Sequence, residues 1–168
     1  MKFIKRELTS ALMLYDYVLF YAAKYNLRED IIRAIVWKES SGNTFAIRYE
    51  PMFFTRYIAS KSKQALGGHW PREITERTER VCRAMSWGAM QVMGQTAREI
   101  GFTGLLPELC LPEIGVKYGC KYLKSLFDKA DAETLIDKYK LAVAKYNGGP
   151  NNPNFDYAAS IFKYIEEL

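Results

Sequence analysis

The chain lacks any long apolar run. None of its 168 residues falls in a stretch approaching the roughly 20 unbroken apolar residues that a membrane-spanning helix needs, so no span is expected. Cysteine is scarce: Cys82, Cys110 and Cys120 make an odd count without a C-x-x-C pair, which argues against a disulfide framework or a zinc site. All three sit in apolar surroundings, so free buried thiols and synthesis in a reducing compartment are expected. The one histidine, His69, lies in a Gly67-Gly68-His69-Trp70 loop with no Ser or Cys nucleophile to serve, which disfavours a catalytic triad and again a metal site. A dense basic run is missing as well. With 24 Lys and Arg against 19 acids the net charge is +5, enough to favour approach to an anionic polymer or surface but too diffuse to point to nucleic acid. Strand-type alternation is rare, and there are no repeats, low-complexity linkers or domain boundaries.

What remains is a chain built for a helical core. Apolar residues make up 49%, charged residues 26% and aromatics 14%, with tyrosine the commonest aromatic at 12 copies. This is the composition of a globular domain long enough to bury a core. The tyrosines suit either the caps of such a core or the faces of sugar rings. Near the N-terminus, basic Met1 to Arg6 followed by apolar Ala11 to Ala23 has the outline of a signal peptide. Asp16 and three tyrosines interrupt it, and no small-residue cleavage site follows. An amphipathic helix with Leu8, Leu12, Tyr15, Leu19 and Ala22 on one face is the preferred reading, a signal peptide the alternative.

Helical periodicity predicts a first helix from about Lys5 to Tyr25, stopped at Asn26. A second starts near Arg28 to Asp30, whose acids suit a helix N-terminus. Its inner stripe is Ile32, Ile35, Val36 and Glu39, which places a glutamate on the apolar face, against the usual preference. Further helices are expected over Met52 to Ile58, Glu73 to Met85, Gln95 to Ile100, Pro112 to Phe127, the stripe Leu135 to Tyr146, and Asn154 to Glu167. Ser86-Trp87-Gly88 is read as the break after the charged Glu73 to Met85 helix.

Three stretches combine helix ends with polar groups where the core pattern expects apolar ones: Glu39-Ser40; Gly88-Ala89-Met90-Gln91-Val92-Met93; and Ala144-Lys145-Tyr146-Asn147-Gly148-Gly149-Pro150. A carboxyl group in an apolar setting has a raised pKa and can act as a general acid. Gln91 and Asn147 can each donate and accept, as recognition of hydroxyl and acetamido groups requires. Glycines let backbone approach a ligand closely. Trp37, Trp70 and Trp87 are candidate sugar platforms, with core packing the competing role, and Met90 reads as packing at a cleft floor.

In this order the three stretches resemble the soluble lytic transglycosylase family, related to goose-type lysozyme. Its signature is Glu-Ser at a helix end, a Gly-Leu-Met-Gln turn, and Ala-Tyr-Asn-x-Gly-Pro. The run Pro112 to Tyr118 with Tyr122-Leu123 is similar to the family's helix before the last motif, and Tyr157 with Ile161 is similar to its closing Tyr-x-x-x-Val. The family places its turn soon after Glu-Ser; here a long insertion separates Glu39 from Gln91. Ile47 to Phe54 within it, together with Ser86-Trp87-Gly88, is similar to phage-type transglycosylases and a phage N-acetylmuramidase family. The resemblance implies a mainly α, single compact lysozyme-like domain over 1–168, with residues 1–27 as an N-terminal helix packed on it and a long catalytic cleft. It implies cleavage of the β-1,4 bond between N-acetylmuramic acid and N-acetylglucosamine by Glu39 as the one acid and base, leaving 1,6-anhydromuramic ends. No metal or cofactor is implied.

Ser40, Met90, Gln91, Tyr146, Asn147 and Tyr157 are the implied substrate-binding residues. Glu50 is the open position. As a second carboxylate it would activate water and make the protein a muramidase; otherwise it pairs with Arg48 or Arg56. The partner implied is the peptidoglycan glycan strand, met by a monomer made in the cytoplasm without a signal peptide and acting on the wall from outside or from a virion. No nucleic-acid partner and no stable membrane insertion are expected. An inactive wall-binding or scaffold protein is the rival of another class.

Overall fold

A computed structural model describes residues 2–167, with side chains described from Met13 onward. In chain order the helices and strands are α1 (Lys2–Tyr25), α2 (Glu29–Ser40), β1 (Ile47–Tyr49), α3 (Pro51–Phe53), α4 (Lys63–Leu66), α5 (Glu76–Arg83), β2 (Met85–Trp87), β3 (Val92–Met93), α6 (Gly94–Glu99), α7 (Pro112–Asp128), α8 (Leu135–Gly148) and α9 (Phe155–Glu166). A π-helical turn over Phe54–Ile58 continues α3, and a 3-10 turn spans Leu106–Cys110. The protein is mainly α and lysozyme-like, as expected. Among the described residues no helix is long and apolar enough to cross a membrane. The chain forms two compact units, one made of Met1–Lys38 with Cys120–Leu168, the other of Glu39–Gly119.

The first unit is all helix. The α1 helix ends where Asn26 takes a left-handed φ of 50° and Leu27 N–H returns to Ala22 O at 2.9 Å. Its buried face is Leu14, Val18, Tyr21 and Ala22. This corrects the expected stripe. Tyr15 and Leu19 are exposed, only Ala22 is shared, and Leu8 and Leu12 lie outside the described side chains. The α2 stripe is as expected, with Ile32 and Ile35 fully buried and Val36 nearly so. Glu29 and Asp30 occupy its first turn, and Arg28 N–H donates to the Tyr139 hydroxyl at 3.0 Å, so this tyrosine caps the core. On α8, Tyr139, Ala142, Val143 and Tyr146 are buried, while Leu135, at the head of the expected stripe, is exposed.

The second unit holds what periodicity did not predict, a small antiparallel sheet of order β1-β2-β3. Its register sets Ile47 against Trp87, Arg48 against Ser86 and Tyr49 against Met85, then Ser86 against Met93 and Trp87 against Val92. All three β1 residues are exposed, so no alternation marks the strand. The expected Glu73 to Met85 helix is shorter at both ends. Thr75 caps it by accepting Thr78 N–H at 3.2 Å, and Met85 already belongs to β2.

The α5 helix is also not the solvated one its charges suggest. Glu79, Arg83 and Arg98 are at most 1% exposed. Glu79 receives Arg83 Nε at 2.9 Å and both Nε and Nη2 of Arg98, at 2.8 and 3.0 Å. The second cation is balanced by dipoles: Arg83 donates to Gly67 O, His69 O and Gln95 Oε1, and Arg98 to Phe102 O and Gly104 O. Burial lowers the Arg83 pKa, against the pull of Glu79. The guanidinium also lies 4.1 Å from the centre of the Trp70 ring. One buried carboxylate thereby ties the Leu66-to-Trp70 loop, α5, α6 and the turn after α6 into one body. Ile58, Leu66 and Ala84 form a core cluster beside it, against which Phe53, Phe54 and Trp70 pack.

Candidate active site

Glu39 is the penultimate residue of α2 and is partly buried. The helix stops one residue later, at Ser40, because Ser41 and Gly42 both take positive φ, 52° and 79°. Asn43 N–H closes the turn on Ser40 O at 3.0 Å. Ser40 then reaches across the sequence, its hydroxyl donating to Ala89 O at 2.8 Å. Two of the three sequence stretches, Glu39-Ser40 and Gly88 to Met93, therefore meet directly.

The second stretch is the β2–β3 turn. Gly88 has φ 71°, and a Cβ there would sit 2.2 Å from Leu109 O, so only glycine fits. Gln91 holds the left-handed φ of 47° with a side chain, and its amide explains why. Nε2 donates to Ala46 O and Gly88 O, both at 2.9 Å, and Oε1 accepts the Ser86 hydroxyl at 3.0 Å. The amide closes its own turn and fastens it to the residue before β1. Both donors are thus spent on the protein, whereas the sequence suggested a group directed at sugar. Met90 is fully buried; a Cβ on Gly119 would lie 2.3 Å from its sulfur, so α7 packs on the turn through a glycine.

Glu50 sits between β1 and α3 in the non-helical conformation that precedes Pro51. Its N–H donates to Ala84 O at 2.9 Å, and its carboxylate takes the Arg48 Nε hydrogen bond and ion pair.

The third stretch lies in the other unit, at the α8–α9 hairpin. Asn154 N–H bonds Ala144 O at 2.9 Å, an approach so close that a Cβ on Gly148 would be 2.7 Å from that nitrogen. Asn147 is exposed, with its Oδ1 receiving Asn154 Nδ2 at 2.9 Å; Asn154 Oδ1 in turn caps α9 by accepting Tyr157 N–H at 3.0 Å. Tyr146 is buried beside Tyr122, ring centroids 5.2 Å apart, and Tyr157 is buried too.

The remaining candidates resolve by burial. Trp87 is core, its indole N–H on Cys82 O at 3.0 Å, and Trp70 is half-buried under Arg83. His69 is an exposed loop residue. The three cysteines are free and buried, and burial pushes the Cys120 thiol up to about 12. Among the described residues no His, Cys, Asp and Glu side chains cluster to hold a metal ion. The Glu79–Arg83–Arg98 cluster escaped the sequence reading because a Glu79, Arg83 spacing of i, i+4 is that of a surface ion pair, and nothing local marks it as buried.

Fold and local geometry define a lysozyme-like helical protein with a glutamate at a helix end beside a glycine-bearing turn. The family comparison is specific: the transglycosylase SLT domain matches residues 16–165, and the chain belongs to that family. Membership makes peptidoglycan its substrate class and lytic transglycosylation its activity at the level of the family. No solved structure gives a significant match.

Proposed function

We propose that this protein cleaves the β-1,4 bond from N-acetylmuramic acid to N-acetylglucosamine with Glu39 as the one acid and base, leaving a 1,6-anhydromuramic end. The observation that carries the reading is the Ser40–Ala89 hydrogen bond. It binds the end of the glutamate's helix to the Gly88–Gln91 turn, so the carboxyl group stands on a fixed support. In the first step the Glu39 carboxyl proton passes to the glycosidic oxygen as the bond to the muramic C1 breaks. The acetamido oxygen of the same sugar stabilises the cationic centre. In the second step the muramic 6-hydroxyl bonds to C1 while the Glu39 carboxylate takes its proton. The acid is restored and no water is consumed. We take 1–168 as one functional domain, since the family match spans both units.

In this reading Glu50 positions rather than reacts, because its carboxylate is engaged by Arg48. Ser40, Met90 and Gln91 hold the turn, and Tyr146, Asn147 and Tyr157 belong to the sugar-binding face of the hairpin. Mass spectrometry of digested peptidoglycan is the test. Products lighter by one water and resistant to borohydride are expected, with Glu39→Gln inactive and Glu50→Gln partly active. Reducible ends, lost on Glu50→Gln, would make the protein a muramidase. Lysis by Glu39→Gln at the parent rate would remove the catalytic assignment altogether.

A further inference from the structure

The first unit carries a pocket that the reaction above does not use. Trp37 of α2 is 54% exposed. Its ring lies 13° from parallel with that of Tyr164 on α9, centroids 6.4 Å apart. Together they line a pocket of about 290 Å³, whose floor includes the buried Ile161 and whose rim is polar: Lys38, Lys163 and Glu167. That volume is just below the range of drug-sized sites, roughly 300–1,000 Å³, so it suits a single sugar residue. Lys163 and Glu167 are only loosely paired, at 3.7 Å and largely exposed, which leaves an ammonium and a carboxylate beside the rings for an acetamido oxygen and a hydroxyl. Trp37 precedes Glu39 by two residues, about 200° around the helix, so this face of α2 is not the one that carries the glutamate.

We infer that the Trp37–Tyr164 pocket is a second, non-catalytic binding site for an N-acetylhexosamine of the wall glycan. It holds the enzyme on insoluble peptidoglycan while Glu39 acts elsewhere. The inference rests on the peptidoglycan reading for the identity of its ligand.

The test measures binding to purified sacculi in a Glu39→Gln background, where the wall stays intact. Adding Trp37→Ala should weaken binding about tenfold, with Trp37→Phe close to the parent. Tyr164→Leu, which keeps apolar bulk without the ring, should behave like Trp37→Ala. In the otherwise native enzyme, Trp37→Ala should leave turnover of soluble glycan fragments unchanged and slow lysis of sacculi. Titration of Glu39→Gln with an N-acetylglucosamine tetramer should perturb its tryptophan fluorescence less once Trp37 is replaced. Unchanged binding by both ring variants would overturn the inference. So would an equal loss on soluble fragments, which would assign Trp37 to the catalytic site. The functional reading fails separately, by lysis with Glu39→Gln, whatever Trp37 does.

Discussion

The Ser40 hydroxyl donates to Ala89 O at 2.8 Å, joining residues 49 apart in sequence. Helix end and turn are thereby one object. Ser40→Ala should cost about 1 kcal/mol of stability, the worth of one intramolecular hydrogen bond. Because the adjacent glutamate loses its support, kcat on peptidoglycan should fall more than KM changes. Denaturant melts and steady-state kinetics check both.

Gln91→Glu keeps the length of the side chain but removes both donors and sets a carboxylate against Ala46 O and Gly88 O. A loss of roughly 2–4 kcal/mol is expected, from two lost bonds and two carbonyl oxygens left facing a negative charge. Gln91→Ala should be milder. Negligible losses in both variants, measured by urea unfolding, would show that the amide does not hold the turn.

Replacing Glu79 by Gln leaves Arg83 and Arg98 buried without their counter-charge. Breaking a buried ion pair on one side costs about 3–5 kcal/mol, so this should rank among the most damaging single changes outside the apolar core. The double variant Arg98→Met with Glu79→Leu should recover part of that loss. Thermal unfolding of the three proteins measures it.

Asp30 gives a pH dependence with a definite sign. The hydrogen bond from Arg28, reinforced by its charge, holds the carboxyl below its ordinary 3.8 despite the opposing effect of burial. A lowered native pKa stabilises the fold above the unfolded value, and that stabilisation is lost as pH falls through the native value. Asp30→Asn should therefore cost about 0.5–1 kcal/mol at pH 7, given the partial exposure of the pair, and nothing well below pH 3.8. Paired unfolding curves from pH 7 to pH 2 should converge.

Helices were legible where apolar residues keep one face for several turns. Ile32, Ile35, Val36 and Glu39 do so, and the odd glutamate stood out against that background. The α1 face was misassigned because leucine and tyrosine supply two adjacent stripes, and only packing decides between Tyr15–Leu19 and Leu14–Val18. The sheet was illegible since strands of two or three residues carry no period, and β1 buries none of its own. Glu39-Ser40 and the Gly88–Gln91 turn could be picked out by residue type. That the Gln91 amide points into its own turn could not, because its partners are the carbonyls of Ala46 and Gly88 and the hydroxyl of Ser86, groups that any sequence offers.

The bond from Arg28 N–H to the Tyr139 hydroxyl closes a sequence separation of 111 residues. On a ribosome adding roughly 5–20 residues per second, the Arg28 amide waits about 6–22 s for that hydroxyl to be made. The Glu39–Gly119 unit has all its residues before then, while the helical unit still lacks part of Cys120–Leu168. The α1 and α2 helices are therefore expected to be most exposed during synthesis, before the rest of their unit exists. A nonsense codon at the start of α8, which removes Tyr139 and its bond to Arg28, should yield an insoluble fragment rather than a shorter enzyme.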